Sequence, residues 1–378
     1  MPHVRMFLNR IKIISRLGRK TNKKFKVGII GVGAIAQQNH IPVWRKLGVE
    51  IIGIDKNIDL LKKVKKKYGI AKTYTSIEEA LADESIDIID NCTPVQLHSS
   101  LTLIALEKGC HTLVEKPMAT NYNDAQKIVK LAESKGLIVG VIHNTLFNPV
   151  YLKVKRLLSS LVNDKGAEII RADIEYIKRS DDQWIVDRNH WSHQLNLGMI
   201  TEILAHPLYI LDDILDGRDS SLEVLTAVGR KLYVSKKYPY VKYDELFAFL
   251  ENKTGKKIGT ITVTLNSNRE DVILRVYTTL GIIYSSLWRG VVVFKGKMIY
   301  GSKSFAVDNI KESIGILKST LNSALLKFRG KMVPGHYFLI QDFYDAVVYN
   351  KKPLVSQEDG LRIAKLIEEI TNAVISVK

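Results

Sequence analysis

Between Phe25 and Ile142, short apolar runs alternate with stretches whose apolar residues recur at helical spacing. Val27 to Ile30, Val49 to Asp55, Ala71 to Tyr74, Ile86 to Cys92, His111 to Val114 and Leu137 to Ile142 read as strands. Ile35 to Leu47, Ile58 to Tyr68, Ser76 to Ala82 and Leu101 to Lys108 read as helices, the third opened by a Ser-x-x-Glu capping box. Strand and helix in strict alternation predict βαβ units and a parallel, doubly wound sheet. From about Pro149 the pattern changes. Ile169 to Ile177, Leu222 to Val234, Leu246 to Leu250, Ile258 to Leu265, Val272 to Thr279, Ile282 to Leu287 and Val291 to Phe294 predict strands, several of them alternating apolar and polar. Such a run implies a large open, mostly antiparallel sheet with one face on a core. Helices are expected over Leu197 to Ile214, Ile310 to Phe328, Tyr337 to Tyr349 and Gln357 to Val377.

At 378 residues, 46% of them hydrophobic, the chain has room for two domains with substantial cores. Its formal net charge of +17 invites a nucleic-acid or anionic-membrane partner. Much of the excess sits in lysine runs such as Leu61 to Lys67, which read as a solvated helix face, so no specific nucleic-acid partner is expected. Residues 1–24 carry eight Lys or Arg and no acidic residue. They read either as an amphipathic helix on an anionic membrane or as a frayed extension, and the second reading is favoured. No apolar run reaches the roughly 20 residues of a membrane span. Cys92 and Cys110 lack metal-ligand spacing, and a reducing, cytoplasmic setting is expected.

The chemistry gathers where predicted strands end. Gly31-x-Gly33-x-x-Ala36 follows the first strand: Gly31 allows a sharp turn, Gly33 lets a pyrophosphate approach the backbone, and Ala36 lets helix and strand pack closely. Amides from Ala34 and Ile35 onward open the helix and face the phosphates. Asp55 closes the second strand, where a carboxylate accepts hydrogen bonds from ribose hydroxyls and repels a 2′-phosphate. It favours NAD, while Lys56 beside it keeps NADP open. Cys92-Thr93-Pro94, with His98 opening the next helix, should border the nicotinamide. Glu115-Lys116-Pro117 puts a lysine at the carboxyl end of a parallel strand, where it can exchange a proton with a substrate hydroxyl. Asn144 and Phe147, at the crossover, either touch nicotinamide or substrate or serve packing.

With this set, and with a helix carrying Glu202 and His206, the chain resembles the glucose-fructose oxidoreductase and inositol dehydrogenase (Gfo/Idh/MocA) family. The resemblance implies α/β architecture: an N-terminal NAD(P)-binding Rossmann domain over 25–148, and an α+β substrate and oligomerisation domain over 149–334. It also implies C-terminal helices over 335–378 that pack back on the first domain. Substrate lies in the cleft between the domains, and the open sheet mediates homodimers or homotetramers. The family's Glu-Lys-Pro lysine falls on Lys116, contacting nicotinamide and substrate hydroxyl, with Glu115 among the cofactor residues. Glu202 stands where the family has Asp, and His206 takes its His place. Spacing of four puts both on one helical face. Pro207 directly after the histidine predicts a kink or restart there.

The implied reaction is oxidation of a secondary alcohol on a sugar-like substrate, with His206 as base, Lys116 polarising the oxygen and Glu202 orienting the ring. Trp191 and His193 are expected to line the pocket. His190 and His193 lack a matching pair for metal, and no metal is expected. A non-catalytic cofactor-binding sensor or scaffold of the same fold stays open as the alternative.

Overall fold

The computed structural model describes residues 24–215, 221–297, 302–328 and 334–376. The basic extension read at 1–24 lies outside them but for Lys24. The described chain forms two compact units, 24–147 with 334–365 and 148–328 with 366–376.

In the first unit, β1 (Lys26–Ile30), β2 (Glu50–Ile54), β3 (Lys72–Tyr74), β4 (Ile88–Asn91), β5 (His111–Val114) and β6 (Val139–Val141) form one sheet in the order 3-2-1-4-5-6, all pairs parallel. This is the doubly wound order that the alternating pattern predicts, reversing between β1 and β4. Local chemistry sets the helix ends. Asn57 caps Ile58–Tyr68 by accepting the Leu60 N–H at 3.0 Å, and Ser76 caps Ile77–Asp83 by accepting that of Glu79 at 3.2 Å. Leu61 and Val64 are buried while the lysines between and after them face water, so this charge run is a solvated face. The helix expected from Ile35 to Leu47 holds two hydrogen-bonding patterns. A π-helical turn, Ala36–His40, leads into Ile41–Leu47, whose first turn tolerates Pro42 because no N–H is needed there. The Pro334–Val348 helix packs on this sheet closely enough that a Cβ on Gly140 would lie 2.6 Å from Phe343.

In the second unit, β7 (Ile169–Arg179), β8 (Leu222–Arg230), β9 (Glu245–Asn252), β10 (Ile258–Ser267), β11 (Asp271–Thr278), β12 (Gly281–Ser286) and β13 (Val291–Lys295) form a sheet in the order 13-12-11-7-10-9-8. Every pair is antiparallel except β7 with β10. The Met199–Ile214 helix lies on one face, where a Cβ on Gly259 would come within 2.9 Å of Leu211. The other face leaves Phe247 and Phe249 45% and 47% exposed.

Two expectations are corrected here. The strand read as Leu222 to Val234 stops at Arg230, and Val234–Lys237 is a helical turn. The cause is Asp244: its fully buried carboxylate accepts the N–H groups of Leu232 and Ser235 at 2.7 and 2.8 Å, drawing the backbone out of the ladder. The helix also continues through Pro207 without restarting. A proline inside a helix costs about 3 kcal/mol. Ile203, Leu204, Leu208, Ile210 and Leu211 are all buried, and each contributes roughly 1.5–3 kcal/mol, so packing wins.

Candidate active site

The loop after β1 meets the loop after β4 at the point where the strand order reverses. Gly31 has φ +81°, and a Cβ there would lie 2.9 Å from the Cys92 carbonyl oxygen. Gly33 differs, since a Cβ on it would meet no protein atom within 4 Å. Its face therefore opens on space in which a diphosphate can reach the backbone. Ala34 is exposed, Ile35 is half-buried and Ala36 fully buried. Asp55 accepts the N–H groups of Val32 at 3.0 Å and Asn57 at 2.9 Å, which holds its carboxylate beside the turn, with Lys56 exposed next to it. An open glycine face flanked by an oriented carboxylate fits a dinucleotide. Gly31→Ala should cost about 1–2 kcal/mol in left-handed strain alone, roughly a tenfold loss in NADH affinity if the turn shifts. Fluorescence titration of NADH checks this, and an unchanged affinity would remove the turn from the site.

Cys92, Thr93 and Pro94 are half-buried, with Thr93 Oγ1 donating to Asn91 at 2.6 Å. Burial, with Asp90 adjacent, pushes the Cys92 thiol up to about 12. His98, expected to touch cofactor, is 1% exposed, and its ring nitrogens lie 2.7 Å from the Pro117 carbonyl and 2.8 Å from that of Thr93. It staples the loop after β4 to the loop after β5. Phe147 is fully buried and serves packing, whereas Asn144, at the start of the same 3-10 turn, is half-buried.

Glu115 also turns inward. Its Oε1 lies 3.0 Å from His40 Nε2 and 3.8 Å from His336 Nε2, and its Oε2 accepts the Lys116 backbone N–H at 3.1 Å. On the far side, His40 Nδ1 is 2.8 Å from Asp90, whose carboxylate also accepts the Trp44 N–H at 2.6 Å. His40 and Asp90 are fully buried. Burial alone would lower the His40 pKa, but the Asp90 charge holds it well above 6.5. Burial alone would raise Glu115, yet His336 and His40 hold it well below 4.5. A buried Asp–His–Glu relay thus grips the backbone of Lys116, which is itself half-buried and joined to Pro117 by a cis bond. The sequence reading named neither His40 nor His336. Among the described residues, two clusters have the spacing to hold a cation: His40 and Glu115 with His336, and His40 with Asp90 and Cys92.

In the second unit Glu202 and His206 are half-buried, one turn apart on Met199–Ile214. The His206 ring stacks on Tyr176, with centroids 5.7 Å apart, and its Nδ1 is 2.6 Å from Tyr209 Oη. Trp288, 45% exposed, stands edge-on to Tyr176 at 5.8 Å. Burial, with Glu202 nearby, pushes the Tyr176 hydroxyl well above 10, so it stays protonated. Trp191 is half-buried and tilts against His190, whose other side stacks on Trp184. His193 is buried edge-on against Tyr240 at 4.9 Å. Tyr176 and Tyr209 escaped the sequence reading, which leaves Trp288 without a role. Tyr209 carried a signal, three residues after His206, but only the sheet brings Tyr176 and Trp288 to that helix.

Comparison with known proteins bears on both units. The Gfo/Idh/MocA model, described as an oxidoreductase family with an NAD-binding Rossmann fold, matches residues 25–143. The 4-carboxy-2-hydroxymuconate-6-semialdehyde dehydrogenase of Sphingobium sp. is 32% identical over 126 residues, 33% of this chain and 40% of that protein. The D-xylose dehydrogenase of Paenarthrobacter nicotinovorans is 25% identical over 55% of each chain. The chain thus spans about half the length of these relatives. The WlbA dehydrogenase from Bordetella pertussis, solved with NADH and UDP-GlcNAcA, shares the fold with a TM-score of 0.74 over 95% of this chain and 97% of that one, at 18% identity. The glycine turn, the strand order and the match over 25–143 agree, and these residues form an NAD-binding Rossmann domain of the Gfo/Idh/MocA oxidoreductase family.

Proposed function

We propose that the protein is an NAD-dependent dehydrogenase acting on a secondary alcohol of a sugar or nucleotide sugar. The observation that carries this reading is the pairing on Met199–Ile214. His206 is held by Tyr176 and Tyr209, and Glu202 shares its helical face. A histidine oriented through one ring nitrogen is suited to accept a proton at the other. With Nδ1–H donating to Tyr209 Oη, Nε2 takes the hydroxyl proton. Lys116 stabilises the oxygen as it becomes a carbonyl, and Glu202 accepts hydrogen bonds from neighbouring hydroxyls. Trp191 and Trp288 offer apolar faces to a sugar ring, and Asn144 can donate to nicotinamide or substrate. Gly31, Gly33, Asp55 and the Cys92–Pro94 loop would hold the dinucleotide, which when bound supplies the hydride acceptor. That WlbA was solved with a nucleotide sugar makes that substrate class the first to try.

The test is a panel of sugars, polyols and nucleotide sugars with NAD or NADP, followed at the nicotinamide absorbance. We expect turnover with at least one member and a loss of roughly 100-fold or more in His206→Ala. Tight cofactor binding with no turnover on any member would favour a sensor. Full activity in His206→Ala would overturn its role as base.

A further inference from the structure

Five apolar residues of the Ser302–Phe328 helix form a stripe on the side away from its own sheet, and exposed Phe305 and Ile316 lie off that stripe. The sheet side is marked by Glu312, which pairs with Lys295 at 2.8 Å, and by Gly315, where a Cβ would lie 3.7 Å from Val293 of β13. Away from it, Val307, Ile310, Ile314, Leu317 and Leu321 are 48%, 59%, 45%, 63% and 64% exposed. Their spacing is three, four, three, four, and in the sequence the rhythm continues at Ala324 and Phe328. That is the a/d repeat of a coiled coil.

The geometry of the seam selects its occupant. These five residues form a stripe about 80° wide at 3.6 residues per turn, separate from Phe305 and Ile316 on the opposite side, and a stripe of that width is a coiled-coil seam and not the broad single arc of a helix lying in a bilayer interface. Another helix with the same repeat covers such a stripe by knobs-into-holes packing. The flanks argue for a second copy and for its direction. Exposed Lys311 and Lys318 lie along one edge, and exposed Ser313 along the other. Parallel copies set Lys318 of one beside Ser313 of the other, whereas antiparallel copies would align lysine with lysine. We propose that this helix pairs with the same helix of a second copy of the chain as a parallel two-stranded coiled coil. The helix is about 40 Å long, enough for three heptads.

The test uses the full-length protein and reads mass by sedimentation equilibrium. We expect Ile314→Lys with Leu317→Lys to weaken self-association by roughly 100-fold, because two charges would be buried unpaired in the seam. Thermal stability and NADH affinity should hold, because both side chains are exposed in the monomer. Phe247→Glu on the outer sheet face serves as the control, since sheet-mediated association would respond to it and leave the seam pairing intact. Leu317→Cys should form a disulfide-linked dimer on mild oxidation, and a mixture of Val307→Cys and Leu321→Cys should give disulfide-linked homodimers of each variant but no mixed disulfide between the two. Unchanged association in the double variant would overturn the proposal. So would a monomeric wild type, a mixed disulfide between the Val307→Cys and Leu321→Cys variants, or a double variant that keeps its mass but loses flotation with anionic vesicles.

Discussion

Lys116→Ala should lower kcat on the true substrate by about 1,000-fold, within the range lost when a group preorganised to stabilise the reacting oxygen is removed. NADH affinity should change little, because on the proposed reading the pyrophosphate and ribose would be held at Gly31, Gly33 and Asp55. The size of the effect follows from placement. Lys116 closes a strand whose carboxyl end borders the cofactor loops, and its backbone is gripped by Glu115, so its ammonium starts from a fixed point. Lys116→Arg should recover little, since the broad planar guanidinium does not reproduce a compact ammonium beside the oxygen. Single-turnover hydride transfer, read beside an NADH titration, separates chemistry from binding. Normal turnover in Lys116→Ala would sink the assignment.

Glu115→Gln should be the most destabilising of the single changes considered. Removing one partner of a buried ion pair costs about 3–5 kcal/mol, because the other charge stays buried without its counter-ion. Here the His40 imidazolium keeps Asp90 on its other side, so the loss falls at the lower end of that range. Urea unfolding checks the loss, and pH resolves its origin. The folded pKa of Glu115 lies well below 4.5, so its stabilisation is complete above the unfolded value and disappears as pH falls through the folded one. His40 has its folded pKa well above 6.5. Its contribution is complete below about 6.5 and is lost as pH rises through the folded value. Wild-type stability should therefore be level around neutrality and fall at both extremes, and Glu115→Gln should remove much of the acid limb. Because His40, Glu115 and His336 offer ligand atoms within 4.8 Å of one another, metal analysis of the same protein is informative. One bound zinc per chain would replace the ion-pair account.

Much of the fold is legible along the chain. The Rossmann strands are short apolar runs with capped, lysine-faced helices between them, and hydrophobic period and caps are local properties. The cofactor turn is legible for the same reason, since Gly31 and Gly33 act through their own backbone. The expectation fails where a side chain's role depends on direction. Glu115 and His98 stand in cofactor-lining segments, but each turns inward to a distant partner, His40 for the first and the Pro117 carbonyl for the second. Phe147 sits at the crossover and is fully buried. Strand β8 ends four residues early because of Asp244, a residue on the far side of the intervening loop.

The sequence by itself determined the order of strands and helices, the glycine turn with Asp55, the lysine before Pro117 and the Glu202–His206 spacing, all set by neighbours a few residues apart. Only the tertiary structure decided which groups share an environment: the Asp90–His40–Glu115 relay behind Lys116, the Tyr176 face under His206, and the apolar seam of Ser302–Phe328 turned to solvent. The physical reason is one of range. Propensity, capping and backbone freedom act over a turn or two of chain. Desolvation and charge pairing, which set the state of a buried group, act across space between residues as far apart in sequence as His40 and Glu115.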